Sequence, residues 1–124
     1  MDGAPDSRTI LVVDDDQDLR DAIADILSDE GYRVGQAGNG AEALTYLRTH
    51  EKPDLILLDL MMPVMDGLQF RREQRRDPLL AEIPVVVLTA AGKVARRELA
   101  AEDVVVAKPI RPDELLQLLK TYIV

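Results

Sequence analysis

Asp14, Asp15, Asp59, Thr89 and Lys108 are the side chains on which chemistry can rest in this sequence. There is no cysteine, which removes disulfides and thiolate sites, and one histidine, His50, cannot build a His-based metal site or a catalytic triad. Carboxylates brought to within ~4–5 Å of one another repel by about 3–4 kcal/mol per pair at an effective dielectric of roughly 20. Two remedies exist: protonation with a raised pKa, or a hard divalent cation. Mg²⁺ suits such a place because it accepts few carboxylates, keeps waters and couples to phosphate oxygens. Lys108 adds a positive charge, and the Thr89 hydroxyl can donate to an oxyanion. A nucleophilic carboxylate, a divalent cation, an ammonium and a hydroxyl donor together describe phosphoryl transfer onto an aspartate.

These residues lie far apart in sequence, so the elements between them must bring them together. Leu55 to Leu58 is an almost wholly apolar run that ends abruptly in Asp59. A run of that length without polar alternation reads as a strand covered on both faces, the pattern of a parallel sheet. Thr9 to Val13 is a similar run, followed by Asp14, Asp15 and Asp16. Apolar residues at helical spacing predict a helix from about Asp16 to Glu30, stopped at Gly31, with Asp16 as its cap rather than a ligand. Tyr32 to Ala37 is a weaker strand. Gly38-Asn39-Gly40 turns the chain into a helix carrying Ala43, Leu44 and Leu47, which closes before Pro53 with His50 at its surface end. Met62-Pro63 and Asp66-Gly67 punctuate the loop after Asp59, and a strongly charged helix follows from Gln69 to Arg76. Pro84 to Thr89 is a fourth strand, Gly92 to Ala101 a short helix, and Val104 to Ala107 a fifth strand that ends at Lys108. A final helix begins near Pro112, with Leu115, Leu116, Leu118, Leu119 and Tyr122 as its apolar face.

Five strands alternating with five helices through short connections predict an α/β fold with an open parallel sheet covered on both faces. In such folds ligands bind beyond the carboxyl ends of the strands, where the strand order reverses. In the order 2-1-3-4-5 the first and third strands are neighbours, and the acids that follow them converge with Thr89 and Lys108 at one edge. The acidic chain, net charge −8, argues against nucleic acid as a direct partner, since phosphate backbones need a basic surface. Met1 to Arg8 reads as a flexible leader without the apolar run of a signal peptide. No apolar stretch approaches the ~20 residues of a membrane span. The expectation is one cytoplasmic domain over residues 9–124, a monomer or weak dimer without membrane contact.

The pieces Ile10-Leu11-Val12-Val13-Asp14-Asp15-Asp16, Asp59 with Met62-Pro63-Val64-Met65-Asp66-Gly67, Leu88-Thr89-Ala90 and Lys108-Pro109, taken in order, resemble the receiver domain of bacterial two-component response regulators. The resemblance covers nearly all of Thr9 to Val124. It implies a flavodoxin-like three-layer sandwich with a five-stranded parallel sheet in the order 2-1-3-4-5. That order is itself known from chemotaxis receivers, so it is not independent support. It implies that Asp59 is the phosphoacceptor, attacking a phosphohistidine on a sensor histidine kinase or histidine phosphotransfer protein. Asp14 and Asp15, Asp15 more directly, would hold Mg²⁺ with Asp59 and the backbone carbonyl of Met61. Thr89 would hydrogen-bond the phosphoryl group and Lys108 would pair with its oxygens, aimed inward by a cis Lys108-Pro109 bond. Such a protein is a switch for protein–protein contacts and not an enzyme on other substrates.

The chain departs from this family in places. Val105 stands where receivers usually carry an aromatic that reports phosphorylation to the far face, and Ile110 replaces a frequent Phe. The segment from Thr89 to Lys108 is a few residues shorter than in the family, so the fourth of the five helices is expected to be short or irregular. Met61 and Ala91 occupy the positions that tune phosphoryl lifetime; neither can orient an attacking water, and slow self-dephosphorylation is expected. Three other readings compete. Val105 and the short helix favour a receiver-like interaction domain that binds partners constitutively, whereas the intact acidic set opposes it. A phosphatase with an Asp nucleophile would want an acid where Met61 stands, and a flavodoxin would want a phosphate-cradling loop where three acids stand.

Overall fold

The structure is a computed structural model and describes residues 8–89, 104–108 and 110–123. Its elements in chain order are β1 (Thr9–Val13), α1 (Gln17–Asp29), β2 (Arg33–Ala37), α2 (Gly40–Thr49), β3 (Leu55–Asp59), α3 (Gly67–Arg76), β4 (Val85–Thr89), β5 (Val104–Ala107) and a C-terminal helix α4 (Pro112–Tyr122). The helix expected over Gly92 to Ala101 and the Lys108-Pro109 bond lie outside the described residues. The five strands form one parallel sheet in the order β2-β1-β3-β4-β5, as the resemblance implied.

The apolar runs become strands because both of their faces find partners. Along β1 and β3 the side chains alternate strictly between two cores. Leu11, Val13, Ile56 and Leu58 pack with Ala43, Leu44 and Leu47 of α2 and Phe70 of α3. Ile10, Val12, Leu55 and Leu57 pack with Ile23 and Leu27 of α1 and Leu115 and Leu119 of α4. Fully burying one such aliphatic side chain contributes roughly 1.5–3 kcal/mol, which is why these helices stay on the sheet. Within α4, Leu115 and Leu119 are buried while Leu116 and Leu118 are half-buried. Tyr122, expected on the apolar face, is 44% exposed. The buried place at this end of the helix goes instead to the next residue, Ile123, which packs with the core residues of β1, β3 and β4.

Helix starts follow local side-chain chemistry. Asp16 caps α1 by accepting from the Leu19 amide at 3.1 Å, and Asn39 caps α2 through the Glu42 amide at 2.9 Å. Helix α3 starts at Gly67, two residues before the expected Gln69. Asp66 and Gln69 form a capping box there, each side chain accepting from the other's amide. Glycine is required at that start: a Cβ on Gly67 would lie 2.5 Å from the Asp59 carbonyl oxygen. At the other end of α3, Gln74 is fully buried. Its Nε2 donates to the carbonyls of Leu80 (2.9 Å) and Ile83 (3.1 Å), while its Oε1 accepts from Arg71 Nη1 (2.9 Å). This knot fixes the 77–84 connection that leads into β4. His50 lies exposed at the end of α2, stacked on Tyr46 with ring centroids 4.1 Å apart.

Candidate functional site

The reversal of strand order places the ends of β1 and β3 side by side, with Val13 opposite Leu58. Asp14 and Asp59 therefore leave neighbouring strands at the same edge. Next to them, Asp59 pairs with Leu88, and the backbone of Thr89 closes β4 opposite Ala107. Lys108 follows immediately. The side chain of Thr89 lies outside the described part of the structure.

Carboxylate oxygens of Asp14, Asp15 and Asp59 lie within 4.8 Å of one another, the grouping the strand ends implied. Asp14 and Asp59 are buried, at 2% and 4% exposure, whereas Asp15 faces solvent. Lys108 reaches in from β5, and its Nζ lies 2.7 Å from Asp14 Oδ2 and 3.5 Å from Asp59 Oδ2. One ammonium against three carboxylates leaves the pocket acidic. Burial first, and then the charge of Asp14, push the Asp59 carboxyl above the usual carboxylate range, against the pull of Lys108 and the Met61 amide. Burial disfavours the Lys108 ammonium too. Its hydrogen bond to Asp14 and the fields of Asp59 and Asp14 outweigh that and hold it above its ordinary value.

Two turns hold the acids in place. Asp14 donates its amide to the Ala37 carbonyl (3.1 Å), extending the β1–β2 ladder by one bond, and its Oδ1 accepts from the Asp16 amide (2.9 Å). After β3, Asp59 Oδ1 accepts from the Met61 amide at 3.3 Å, and the Met61 side chain is largely exposed. The loop then tightens at Val64, whose φ is 68°, with the Met65 amide donating to the Pro63 carbonyl at 2.8 Å. That is a γ-turn with positive φ at a β-branched residue, a strained arrangement. The Met65 carbonyl accepts in turn from the Gly40 amide at the start of α2 (2.8 Å).

The donor set fits Mg²⁺. It consists of hard oxygen ligands, two of them on buried carboxylates whose mutual repulsion a divalent cation would relieve. One residue beside the site escaped the reading from sequence: Arg20, whose Nη1 donates to the Asp14 carbonyl at 2.6 Å. A signal was available, because a cation in the first turn of a helix opposes the helix dipole and needs an acidic or carbonyl neighbour.

An acidic pocket with an inward lysine, at the carboxyl edge of a parallel sheet wound in this order, places the molecule among the receiver domains of two-component signalling. The family model for the response regulator receiver domain matches residues 10–120, and the chain belongs to that family. The phosphate regulon transcriptional regulatory protein PhoB of Pseudomonas aeruginosa is 40% identical over 117 residues, covering 91% of this chain and 50% of PhoB. The DNA-binding response regulator MtrA of Mycolicibacterium smegmatis is 41% identical over 111 residues, covering 86% of this chain and 46% of MtrA. The chain thus spans about half the length of these relatives. A solved receiver domain of a sensor histidine kinase from Pseudomonas aeruginosa superimposes with a TM-score of 0.84 at 30% identity. The match covers 94% of this chain and 98% of that one, and that structure has a magnesium ion coordinated in its active-site cleft. Among the described residues, no helix is long and apolar enough to cross a membrane.

Proposed function

We propose that the protein is a phosphoacceptor switch in which Asp59 receives a phosphoryl group from a histidine of a sensor kinase or phosphotransfer protein. The observation that carries this reading is the buried Asp59 carboxylate, held beside Asp14, Asp15 and the Lys108 ammonium. An Asp59 carboxylate oxygen bonds to phosphorus while the phosphorus–nitrogen bond of the donor breaks. The bonding pair leaves with the imidazole nitrogen, which takes a proton from water. Asp14, Asp15, Asp59 and the Met61 carbonyl would hold Mg²⁺, which when bound supplies charge neutralisation for phosphoryl oxygens. Lys108, now shared between Asp14 and Asp59, is within reach of an oxygen on phosphorylated Asp59. Thr89, at the end of the neighbouring strand, would donate its hydroxyl to another. Met61 and Ala91 offer no group to orient an attacking water, so the acyl phosphate is long-lived, lasting minutes or more. The phosphorylated state then changes which protein the domain binds.

Intact mass spectrometry after incubation with Mg²⁺ and acetyl phosphate tests this. The wild type gains one phosphoryl group, the gain needs Mg²⁺, and Asp59→Asn abolishes it. No adduct at high donor concentration would sink the proposal.

A further inference from the structure

Adjacent side chains on a strand point to opposite faces, so Asp14 and Asp15 can serve one pocket only if the chain leaves the extended form between them. The ladder stops there: the Asp14 amide still pairs with β2, but the Asp14 carbonyl takes its hydrogen bond from a side chain instead. That side chain is Arg20, four residues into α1. Its Nη1 donates to the Asp14 carbonyl at 2.6 Å, and its Nε donates to Gln36 Oε1 on β2 at 3.1 Å. One planar guanidinium thus ties the Asp14–Asp15 peptide to the edge strand, with both of its bonds set by a rigid fork.

We infer that Arg20 is a positioning residue that fixes the peptide between Asp14 and Asp15, and so sets the direction in which the Asp15 carboxylate meets a divalent cation. Gln36 braces it from β2. This rests on the proposed function above, and it has a competitor of opposite sign. If Arg20 acted only through its charge, removing it would make the acidic pocket bind Mg²⁺ more tightly. Removing a positioning group weakens metal binding, typically about 10–100-fold for partners that orient ligands.

The test is an NMR titration of the intact chain with Mg²⁺ alone, together with the Mg²⁺ dependence of phosphoryl uptake from acetyl phosphate. Arg20→Met should weaken Mg²⁺ binding by about tenfold. Half-saturation of uptake should rise in parallel, while the rate at saturating Mg²⁺ stays near that of the wild type. Arg20→Lys, which keeps the charge but cannot bridge both acceptors, should fall between Met and wild type. Gln36→Met, which leaves every charge in place and serves should Arg20→Met not fold, should weaken Mg²⁺ binding a fewfold. Unchanged or tighter binding in Arg20→Met, or unchanged binding in Gln36→Met, overturns the positioning role. A wild type that binds no Mg²⁺ overturns instead the function on which it rests.

Discussion

Among the described residues, two places bury polar side chains, and they do so in opposite ways. At the far end of α3, Gln74 is uncharged and fully enclosed, and both atoms of its amide have partners: two carbonyls and the Arg71 guanidinium. At the carboxyl edge of the sheet, Asp14 and Asp59 are almost as deeply buried, yet they are like charges with one lysine shared unequally between them. An uncharged buried amide whose donor and acceptor both have partners rigidifies what it touches. A buried charge cluster short of positive charge stays at a higher free energy until a ligand completes it. The first builds the frame. The second is the part of the frame left open for use.

This contrast can be broken by mutation. The largest effect belongs to the satisfied network: Gln74→Leu strands the Leu80 and Ile83 carbonyls and should lower stability by about 3 kcal/mol. Denaturant unfolding measures it, and a loss under about 1 kcal/mol, the size of an ordinary surface effect, would mean that the knot does not hold the 77–84 connection. At the pocket the sign reverses. Folding raises the Asp59 pKa, so native protein holds the proton more tightly than the unfolded chain, and stability falls as pH rises through that window. The penalty is complete above the raised native value and vanishes below the ordinary aspartate value. Asp59→Asn should therefore raise the neutral-pH Tm by a few degrees, and the gain should shrink as melts are repeated toward acid. A mutant that melts lower at neutral pH would refute the stored repulsion. Smallest is Val64→Gly: relieving a positive φ at a β-branched residue should add about 1 kcal/mol, net of the entropy that glycine brings to the unfolded chain. Equal denaturation midpoints would show that the turn carries no net strain.

The sheet was legible because Thr9–Val13 and Leu55–Asp59 lack polar alternation, and only burial on both faces accommodates such runs. The gathering of Asp14, Asp15, Asp59 and Lys108 was legible because each ends a strand or follows one within two residues, and parallel strands end at one edge. The strand order was a different matter, because it came with the family resemblance. Other features depend on distant neighbours and leave little local trace. Gln74 looks like any polar residue of a charged helix until the 77–84 connection folds over it. Arg20 looks solvated until β2 brings Gln36 alongside. Asp66-Gly67 reads as a turn, yet the same two residues cap a helix when Gln69 completes the box. Tyr122 has the right spacing for the core, yet Ile123 beside it takes the buried place.

The ion pair between Lys108 and Asp14 joins residues 94 positions apart. A ribosome that adds roughly 5–20 residues per second leaves Asp14 waiting for its lysine for about 5–19 s. In the later part of that interval, once Asp59 has been made, β1, β2 and β3 can pair with the acids in place but lacking their counter-charge. The nascent chain can thus form sheet before its acidic pocket gains its lysine, which arrives only after the last strand.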